Sequence, residues 1–562
     1  MFARYSQARH RTLGQGVQFS WVNDPSQSFS QLIDPNAAPI PIDEFNIVLS
    51  DMFILSPTMN NEFRIGYNRR QLFQSAPTAN QDWAKQLGIP NVSAATFPNF
   101  NIQYGLAGLS SYQNIGDDIT LQDNFTKIHG AHTIKFGYEM IRTRYNATGC
   151  GTSQPACVPS LPSGSYTFGG TDAPFTPNTG NTFASFLLGT VASATFTQAQ
   201  ASWLPRWFSH QAYIQDDWKP FRTLTLNLGL RYAYETPFAT KYGQNSEFSP
   251  TVQDPVTGRM GGLVNQPGPL ANSDRNNFEP RAGLAWNFAP KMVFRSSFGV
   301  VHADIFAPTQ DIMFDNYVAT ATVQAAPGDP NYVFRLSQGP PNITYNVQPN
   351  GSVPFVGTNY STRTASLWDH NMRMPYVMSW SGGIQWEFAN NWVLETLYQG
   401  QAGVGLVNSW NMNVIPLNIS TDPAQLAAIY KATQNYLPYP QFGAINYWSN
   451  FGHNTHHSGT LRMEKRFSNG FTLNAFYTFE KDLANVDGEG TATGITYYNQ
   501  SLEKGRTSFD TTHRFVSVFT YQLPFGTGRR WMNRGGFLNQ VLGGWELTET
   551  QTLQSGTPFT VT

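Results

Sequence analysis

The sequence has little charge and no long apolar run. Charged residues make up 13% of its 562 residues, about half the share that soluble proteins usually carry. No run approaches the roughly 18 consecutive apolar residues that a membrane-spanning helix needs, so an α-helical membrane protein is excluded. Lys and Arg number 35 against 36 Asp and Glu, and no basic stripe indicates a nucleic-acid partner.

Enzyme motifs are also absent. The sequence contains no G-x-S-x-G, no P-loop, no H-E-x-x-H and no G-x-G-x-x-G after a predicted strand. We therefore expect no catalytic residues and no bound cofactor.

Cysteine is scarce, with only Cys150 and Cys157, in the stretch CGTSQPAC. Their closeness in a polar, Pro-containing stretch is consistent with a small loop disulfide, which would require an oxidising compartment. Two unpaired thiols are the alternative, because spacing alone does not fix connectivity.

Aromatic residues, by contrast, are abundant. They make up 14% of the chain, yet the mean hydropathy is −0.35. An outer-membrane β-barrel has this profile, because half of each strand faces lipid and half faces a wet lumen. A closed barrel is also the one structure besides a helix that satisfies its backbone inside lipid.

Strict alternation of apolar and polar residues predicts the strands. Between Thr223 and Tyr234, every second residue from Leu224 onward is Leu or Tyr, and Thr, Asn, Gly, Arg and Ala lie between them. This period of two fits a strand with one apolar face and one polar face, whereas a helix would place the leucines all round its surface. The same alternation recurs at His132–Met140, Met292–Val300, Trp392–Tyr398 and Phe471–Glu480.

Connector lengths predict the architecture. Short Pro-, Asn- or Gly-containing connectors such as SNG at Ser468–Gly470 join the strands in pairs, and long segments such as Asn146–Ser209 and Ala303–Met374 separate the pairs. Bacterial barrels have short periplasmic turns and long extracellular loops. We predict an all-β fold: a large antiparallel transmembrane β-barrel of about 14–16 strands with long extracellular loops.

Several segments, in order, resemble the barrel of TonB-dependent receptors of the Oar-like group. They include HTIKFGYEMIRTRYN at His132–Asn146, QAYIQDDWKPFRTLTLNLGLRYAYETP at Gln211–Pro237 and RTSFDTTHRFVSVFTYQLPFGTGRRW at Arg506–Trp531. The resemblance implies a 22-stranded barrel around an N-terminal plug, a location in the bacterial outer membrane, and energy supplied through the TonB system. No plug-like segment or secretory signal precedes the strands, and the final residues lack a terminal aromatic. We therefore expect residues 1–562 to be a barrel fragment without the plug and the C-terminal strands.

Two groups of residues are candidate solute contacts. Charges predicted to face the lumen would guide a solute or contact a plug, although a polar interior is the ordinary alternative. Loop aromatics would stack on a sugar or apolar ligand, although packing within the loop is the alternative. The first group is Lys135, Glu139, Arg231, Arg295 and Glu395, and the second is Tyr436, Tyr439, Tyr447 and Trp448.

No metal site is predicted. His453, His456 and His457 precede a strand, where a hydrated loop is favoured over the converging ligands that a metal needs. Asn485, Asp487 and Glu489 lack full EF-hand spacing.

Three functions are consistent with these patterns. The first is TonB-dependent transport of a bulky oligosaccharide, peptide or metal chelate, with outer-membrane lipid and the TonB system as partners. The second is a passive porin-like or structural outer-membrane protein. The third is a soluble β-rich carbohydrate-binding protein, which the apolar strand faces argue against.

Overall fold

The computed structural model describes most of the chain. The described residues are 1–12, 40–74, 81–92, 97–102, 112–148, 161–168, 181–303, 316–324, 332–355, 360, 363–416, 419–486 and 499–559. Cys150, Cys157, Asp487 and Glu489 lie outside these residues.

Among the described residues, fifteen long strands form one antiparallel meander, in which neighbouring strands follow one another in chain order. This number agrees with the predicted range. Shorter strands lie between some of them in the chain. The strands of the meander are β1 (Phe2–Thr12), β2 (Ile40–Ser56), β3 (Met59–Gln74), β5 (Tyr112–His129), β6 (His132–Thr148), β9 (Pro205–Phe221), β10 (Leu224–Glu235), β14 (Phe278–Ala289), β15 (Met292–His302), β19 (Tyr376–Ala389), β20 (Trp392–Asn411), β21 (Ile445–Ser468), β22 (Phe471–Ala484), β24 (His513–Gln522) and β25 (Glu546–Gln554).

At one end of the meander, six hairpins close with two-residue turns. Asn469 and Gly470, for example, both have positive φ, at 53° and 76°. This is the backbone of a type I′ turn, whose twist matches that of the flanking strands and which Asn-Gly favours. A longer connection at the same end, residues 523–545, joins β24 to β25. We call this the turn end and the opposite end the loop end.

The pairing register divides the meander into two faces. Leu228 pairs with Ala282, which pairs with Phe298, so apolar side chains of neighbouring strands share one face. Large apolar side chains on this apolar face are solvent-exposed: Ile65, Phe136, Ile214, Leu228, Trp286, Phe298, Ile384, Leu461 and Tyr477. The alternation predicted within single strands is thus aligned from strand to strand across the whole sheet.

The loop end carries further secondary structure. Segments predicted as long loops contain ten short strands: β4 (Asn99–Asn101), β7 (Leu161–Phe168), β8 (Thr190–Ala199), β11 (Ala239–Thr240), β12 (Ser246–Gln253), β13 (Met260–Asn265), β16 (Val318–Gln324), β17 (Phe334–Arg335), β18 (Ala365–Trp368) and β23 (Gly505–Arg506). Strands β4, β7, β8, β16 and β17 form a separate sheet, and β12 pairs with β13.

Two 3-10 helices, Thr433–Tyr436 and Gln500–Glu503, and four short α-helices complete the described structure. The α-helices are α1 (Trp83–Gln86), α2 (Thr182–Leu187), α3 (Pro423–Lys431) and α4 (Phe537–Leu542). None of the helices in the described ranges has the length and apolar character needed to cross a membrane.

The hydrophobic core lies at the loop end. One cluster joins the β10–β14 and β15–β19 connections to strands β9, β20 and β21, and includes Phe238, Leu270, Trp368 and Trp448. A second cluster lies against the separate sheet and includes Tyr166, Phe168 and Phe196. These connections are therefore packed rather than open loops, because their apolar side chains exclude water from one another.

Candidate functional site

The five charges predicted to face the lumen lie on one face. Following the register from β6 to β20 places Lys135, Glu139, Arg231, Arg295 and Glu395 together, opposite the apolar face. Their arrangement depends on strand pairing, since they come from four different strands, with Lys135 and Glu139 both on β6. We call this the polar face.

Three of these charges are paired. Lys135 Nζ lies 2.9 Å from a carboxylate oxygen of Asp217, and Glu395 lies 3.8 Å from Arg462. Arg231 donates to the carboxylate of Glu279 and, at 3.0 Å, to the side-chain oxygen of Gln211. For Glu139 and Arg295, no salt-bridge partner lies within 4 Å in the part of the chain that the structure describes.

Glu279 is a buried carboxylate that the sequence reading missed. Its side chain is fully buried, and it accepts a hydrogen bond from the backbone N–H of His302 at 2.8 Å. Arg281 approaches it at 3.7 Å. Only the register signals its importance, because Glu279 stands opposite Arg231 on the next strand.

A buried ion pair holds three loop-end segments together. Arg363, from the β15–β19 connection, donates to Asp254 of the β10–β14 connection at 2.8 Å, and both side chains are almost completely buried. The guanidinium also lies 4.1 Å from the ring centroid of Phe442 in the β20–β21 connection. Burial acts to raise the pKa of Asp254, but hydrogen bonds from Arg363 and Thr257 outweigh it and hold the pKa below its usual range.

A second polar contact joins two of these segments, the β15–β19 and β10–β14 connections. His370 is hydrogen-bonded to the carbonyl oxygen of Leu270 at 2.7 Å and to the carboxyl of Glu247 at 3.1 Å. A carbonyl only accepts, so Nδ1 of His370 carries a proton, and a further proton lies between Nε2 and Glu247. Burial raises the pKa of Glu247, and the contact with His370 only partly offsets this effect.

An apolar cavity of about 630 Å³ lies within the β20–β21 connection, beside α3. Asn413 fixes one of its walls, because its amide donates to the carbonyls of Tyr439, Phe442 and Gly443 at 2.9–3.1 Å. Tyr430 stands at the cavity with its side chain 86% exposed. The lining residues are Asn411, Asn413, Val414, Ile415, Pro416, Ile419, Leu426, Ile429, Tyr430, Thr433, Gln434, Leu437 and Gly443.

The sequence did contain a signal for this cavity. Asp422 caps α3 by accepting from the N–H of Ala424 at 2.9 Å, and Pro423 occupies the first turn. An Asp-Pro start followed by apolar residues at Leu426 and Ile429 is a helix signature. The segment was instead predicted as part of a long loop, so Tyr430 was not recognised.

The four aromatics predicted as loop contacts for a solute lie in different surroundings, and two of them, Tyr447 and Trp448, lie in strand β21 rather than in a loop. Tyr436 is exposed, whereas Trp448 is buried and stacks on Trp368 with ring centroids 6.0 Å apart. Tyr439 packs against Phe248 at 4.8 Å, and Tyr447 against Trp410 at 4.9 Å. Tyr436 therefore presents the most accessible ring of the four.

The histidine cluster lies inside β21 and not in the hydrated loop that the sequence suggested. His456 points toward Asp482, at 2.8 Å, and His457 points to the opposite face toward Tyr398, at 2.9 Å. Asn485 accepts from the backbone N–H of His453 at 2.6 Å. Consistent with this, no group of three or more His, Cys, Asp or Glu side chains in the described ranges is placed to hold a metal ion.

Comparisons with known proteins address the fold. Residues 1–562 match the family described as an outer membrane beta barrel domain. The outer membrane transporter YddB from Escherichia coli is similar in structure, with a TM-score of 0.51 and 10% identity over 92% of this chain and 52% of that chain. The FrpB iron transporter from Neisseria meningitidis (F3-3 variant) has a TM-score of 0.43 and 11% identity over 93% of this chain and 54% of that one.

The siderophore receptor PiuA from Acinetobacter baumannii has a TM-score of 0.41 and 11% identity, covering 86% of this chain and 53% of the receptor. This chain thus spans about half the length of each of these proteins. No curated protein matches the sequence.

These findings confirm the predicted all-β outer-membrane barrel and its location in the bacterial outer membrane. They conflict with the soluble carbohydrate-binding alternative. The chain belongs to the outer membrane beta barrel domain family.

Proposed function

We propose that this chain forms the wall and the solute-binding loops of a TonB-dependent transporter for a bulky solute. A meander of this many strands would enclose a space too wide for its own side chains to fill, as in barrels that hold a channel or a plug. The observation that carries the proposal is the pairing of a polar inner face with a folded loop end that contains an apolar cavity.

The two faces have complementary roles in this proposal. The apolar face contacts outer-membrane lipid, because exposed Leu, Phe and Trp side chains are stable there and unfavourable in water. The polar face lines the lumen, where Glu139 and Arg295 are available to contact a plug or a passing solute. Lys135, Arg231 and Glu395 would do so by exchanging their present ion-pair partners.

The cavity is the proposed place of first solute contact. Its lining is mostly aliphatic, with a few polar side chains such as Thr433 and Gln434, which suits a solute with an apolar portion and a few polar groups. The exposed rings of Tyr430 and Tyr436 lie in the same connection, where they would stack on an oligosaccharide, a peptide or an aromatic metal chelate.

The complete gene product should be tested in a Gram-negative host with and without TonB. The probes are radiolabelled maltohexaose, a decapeptide and a ferric catecholate chelate. We expect uptake of at least one probe to require both TonB and an energised inner membrane. Tyr430→Ala should reduce this uptake several-fold, whereas Tyr242→Ala should not, because Tyr242 is an exposed loop tyrosine that does not line the cavity.

The second candidate function is a passive pore, which the polar face also supports. A pore would let the probes enter at the same rate with and without TonB, and its flux would rise linearly with probe concentration. That result would reject energised transport and leave the passive pore as the function.

A further inference from the structure

Five side chains form a continuous stack on the apolar face near the loop end. The Arg142 guanidinium lies 5.6 Å from the ring centroid of Phe208, which stacks on His210 at 6.0 Å. His210 stacks on Tyr234 at 6.1 Å, and Arg275 lies 5.9 Å from the Tyr234 ring. The stack crosses β6, β9 and β10 and has a cation at each end.

The stack is anchored from both sides. Tyr138 and Nδ1 of His210 share a hydrogen bond of 2.7 Å, and the Tyr232 hydroxyl donates to the carbonyl of Arg275 at 3.1 Å. A depression of about 280 Å³ opens beside these groups, lined by Tyr138, His210, Tyr232, Tyr234 and Arg275 among others. Arg275 is therefore held at a concave aromatic surface, and Arg142 lies at the other end of the stack.

Neither arginine has an acidic partner. Both side chains are exposed, and no carboxylate lies within 4 Å of either guanidinium in the ranges that the structure describes. Asp123, on the same face, stands opposite Tyr138 on β5, across β6 from the stack, and accepts from the Asn61 amide at 2.6 Å. The positive charge of the stack thus lacks a compensating anion in the described protein.

The register gives the height of the stack. His210 pairs with Met140, which follows the β5–β6 turn at Gly130 by about ten residues. At about 3.3 Å per residue and a tilt of about 40°, this level is roughly 25 Å from the turn end, which is the height of a barrel's apolar band. The stack therefore lies at the outer edge of that band.

Two further Tyr–His pairs occupy the same face at similar distances from their turns. Tyr398 contacts His457 at 2.9 Å, and Tyr477 contacts His513 at 2.7 Å. Neither pair has an arginine over its rings in the described chain. The Tyr–His pairs thus form a girdle, and the two arginines single out one position on it.

From this arrangement we propose that the stack is a binding site for the phosphorylated headgroup of an outer-leaflet glycolipid of the lipid A class. The two guanidiniums would bind two phosphates by charge-assisted hydrogen bonds, and the aromatic surface would contact the sugar rings between them. A membrane lipid fits better than a free phosphate, because the site continues the apolar face at the level of the headgroups. This inference rests on the lipid-facing assignment in the proposed function.

The test uses the chain purified in detergent and native mass spectrometry. The probes are a bisphosphorylated lipid A and the same lipid without phosphates. We expect the wild-type chain to prefer the phosphorylated lipid by at least about tenfold, because each charge-assisted hydrogen bond contributes roughly that factor. Arg142→Gln with Arg275→Gln should abolish the preference.

His513→Gln is the matched control, because it alters a Tyr–His pair without arginines and should leave the preference unchanged. The proposal is overturned if the double variant keeps the preference, or if the wild-type chain binds both lipids equally, which would make the stack an ordinary aromatic girdle. Insertion into phosphatidylcholine vesicles separates the two proposals. A chain that inserts but shows no preference overturns the headgroup site alone, and a chain that does not insert overturns the lipid-facing assignment as well.

Discussion

Large apolar side chains are buried at one end of the molecule and exposed toward the other. At the loop end, Trp368, Trp448, Phe238 and Leu270 are buried against one another, as in a water-soluble domain. In the half near the turns, Leu228, Phe136, Trp286 and other large apolar side chains are exposed. Under the proposed function, the difference would suit one chain to two solvents, because exposed apolar side chains are stable in lipid and the loop core is stable in water.

The largest effect is expected at the buried ion pair of the loop end. Arg363→Met would leave the Asp254 carboxylate buried without its cation, which costs about 3–5 kcal/mol in comparable cases. We expect hydrogen exchange of residues 236–277 to accelerate strongly while the strands near the turns keep their protection. The double variant Arg363→Met/Asp254→Asn should recover most of the protection, and unchanged exchange in the single variant would show that the pair does not hold the loops.

A smaller effect should distinguish the two faces of one strand. Leu228→Arg places a cation on the apolar face near the middle of the band and should cost about 2–4 kcal/mol of folding free energy in a membrane. Asn227→Arg, one residue away on the polar face, should cost little. The measurement is the folded fraction after insertion into phosphatidylcholine vesicles, and equal losses for both variants would contradict the assignment of the faces.

The smallest effect concerns pH at the loop end. Burial raises the pKa of Glu247, so the folded loops bind its proton more tightly than the unfolded chain does. The free energy of unfolding should therefore fall as pH rises from the unfolded pKa, near 4.3, through the folded one. Glu247→Gln should remove this slope, measured by tryptophan fluorescence during urea unfolding between pH 4 and 7.

Asp254 should give the opposite pH dependence of the free energy of unfolding. Its pKa is held below the usual range, so its stabilising contribution is complete above the unfolded pKa and is lost as pH falls through the folded one. Asp254→Asn should remove the loss in acid. Identical pH profiles for the wild-type chain and both variants would show that neither carboxyl is coupled to loop folding.

Much of the strand meander could be predicted from the sequence. The alternation from Leu224 to Tyr234 predicted a two-faced strand, and Asn469-Gly470 predicted a tight turn between two later strands, because both signals depend only on neighbouring residues. The secondary structure of the loop end could not be predicted from the sequence. Its short strands and α3 were predicted as loops, since their stability comes from contacts such as Arg363 with Asp254, which are distant in the chain.

The candidate sites divide in the same way. Residues of the polar face were predicted individually, because inward and outward positions alternate along each strand. Their partners, such as Glu279 for Arg231, could not be predicted because strand register depends on pairing between segments. The same holds for the stack from Arg142 to Arg275, because its members come from β6, β9, β10 and the β10–β14 connection.

By itself, then, the sequence determined that this chain forms paired strands with one apolar and one polar side, since a period of two is a local property of the residues. Only the tertiary structure decided which charges meet, which aromatic rings are buried and where the cavity lies. Those outcomes depend on pairing and packing between residues that are far apart in the chain, and no local pattern encodes them.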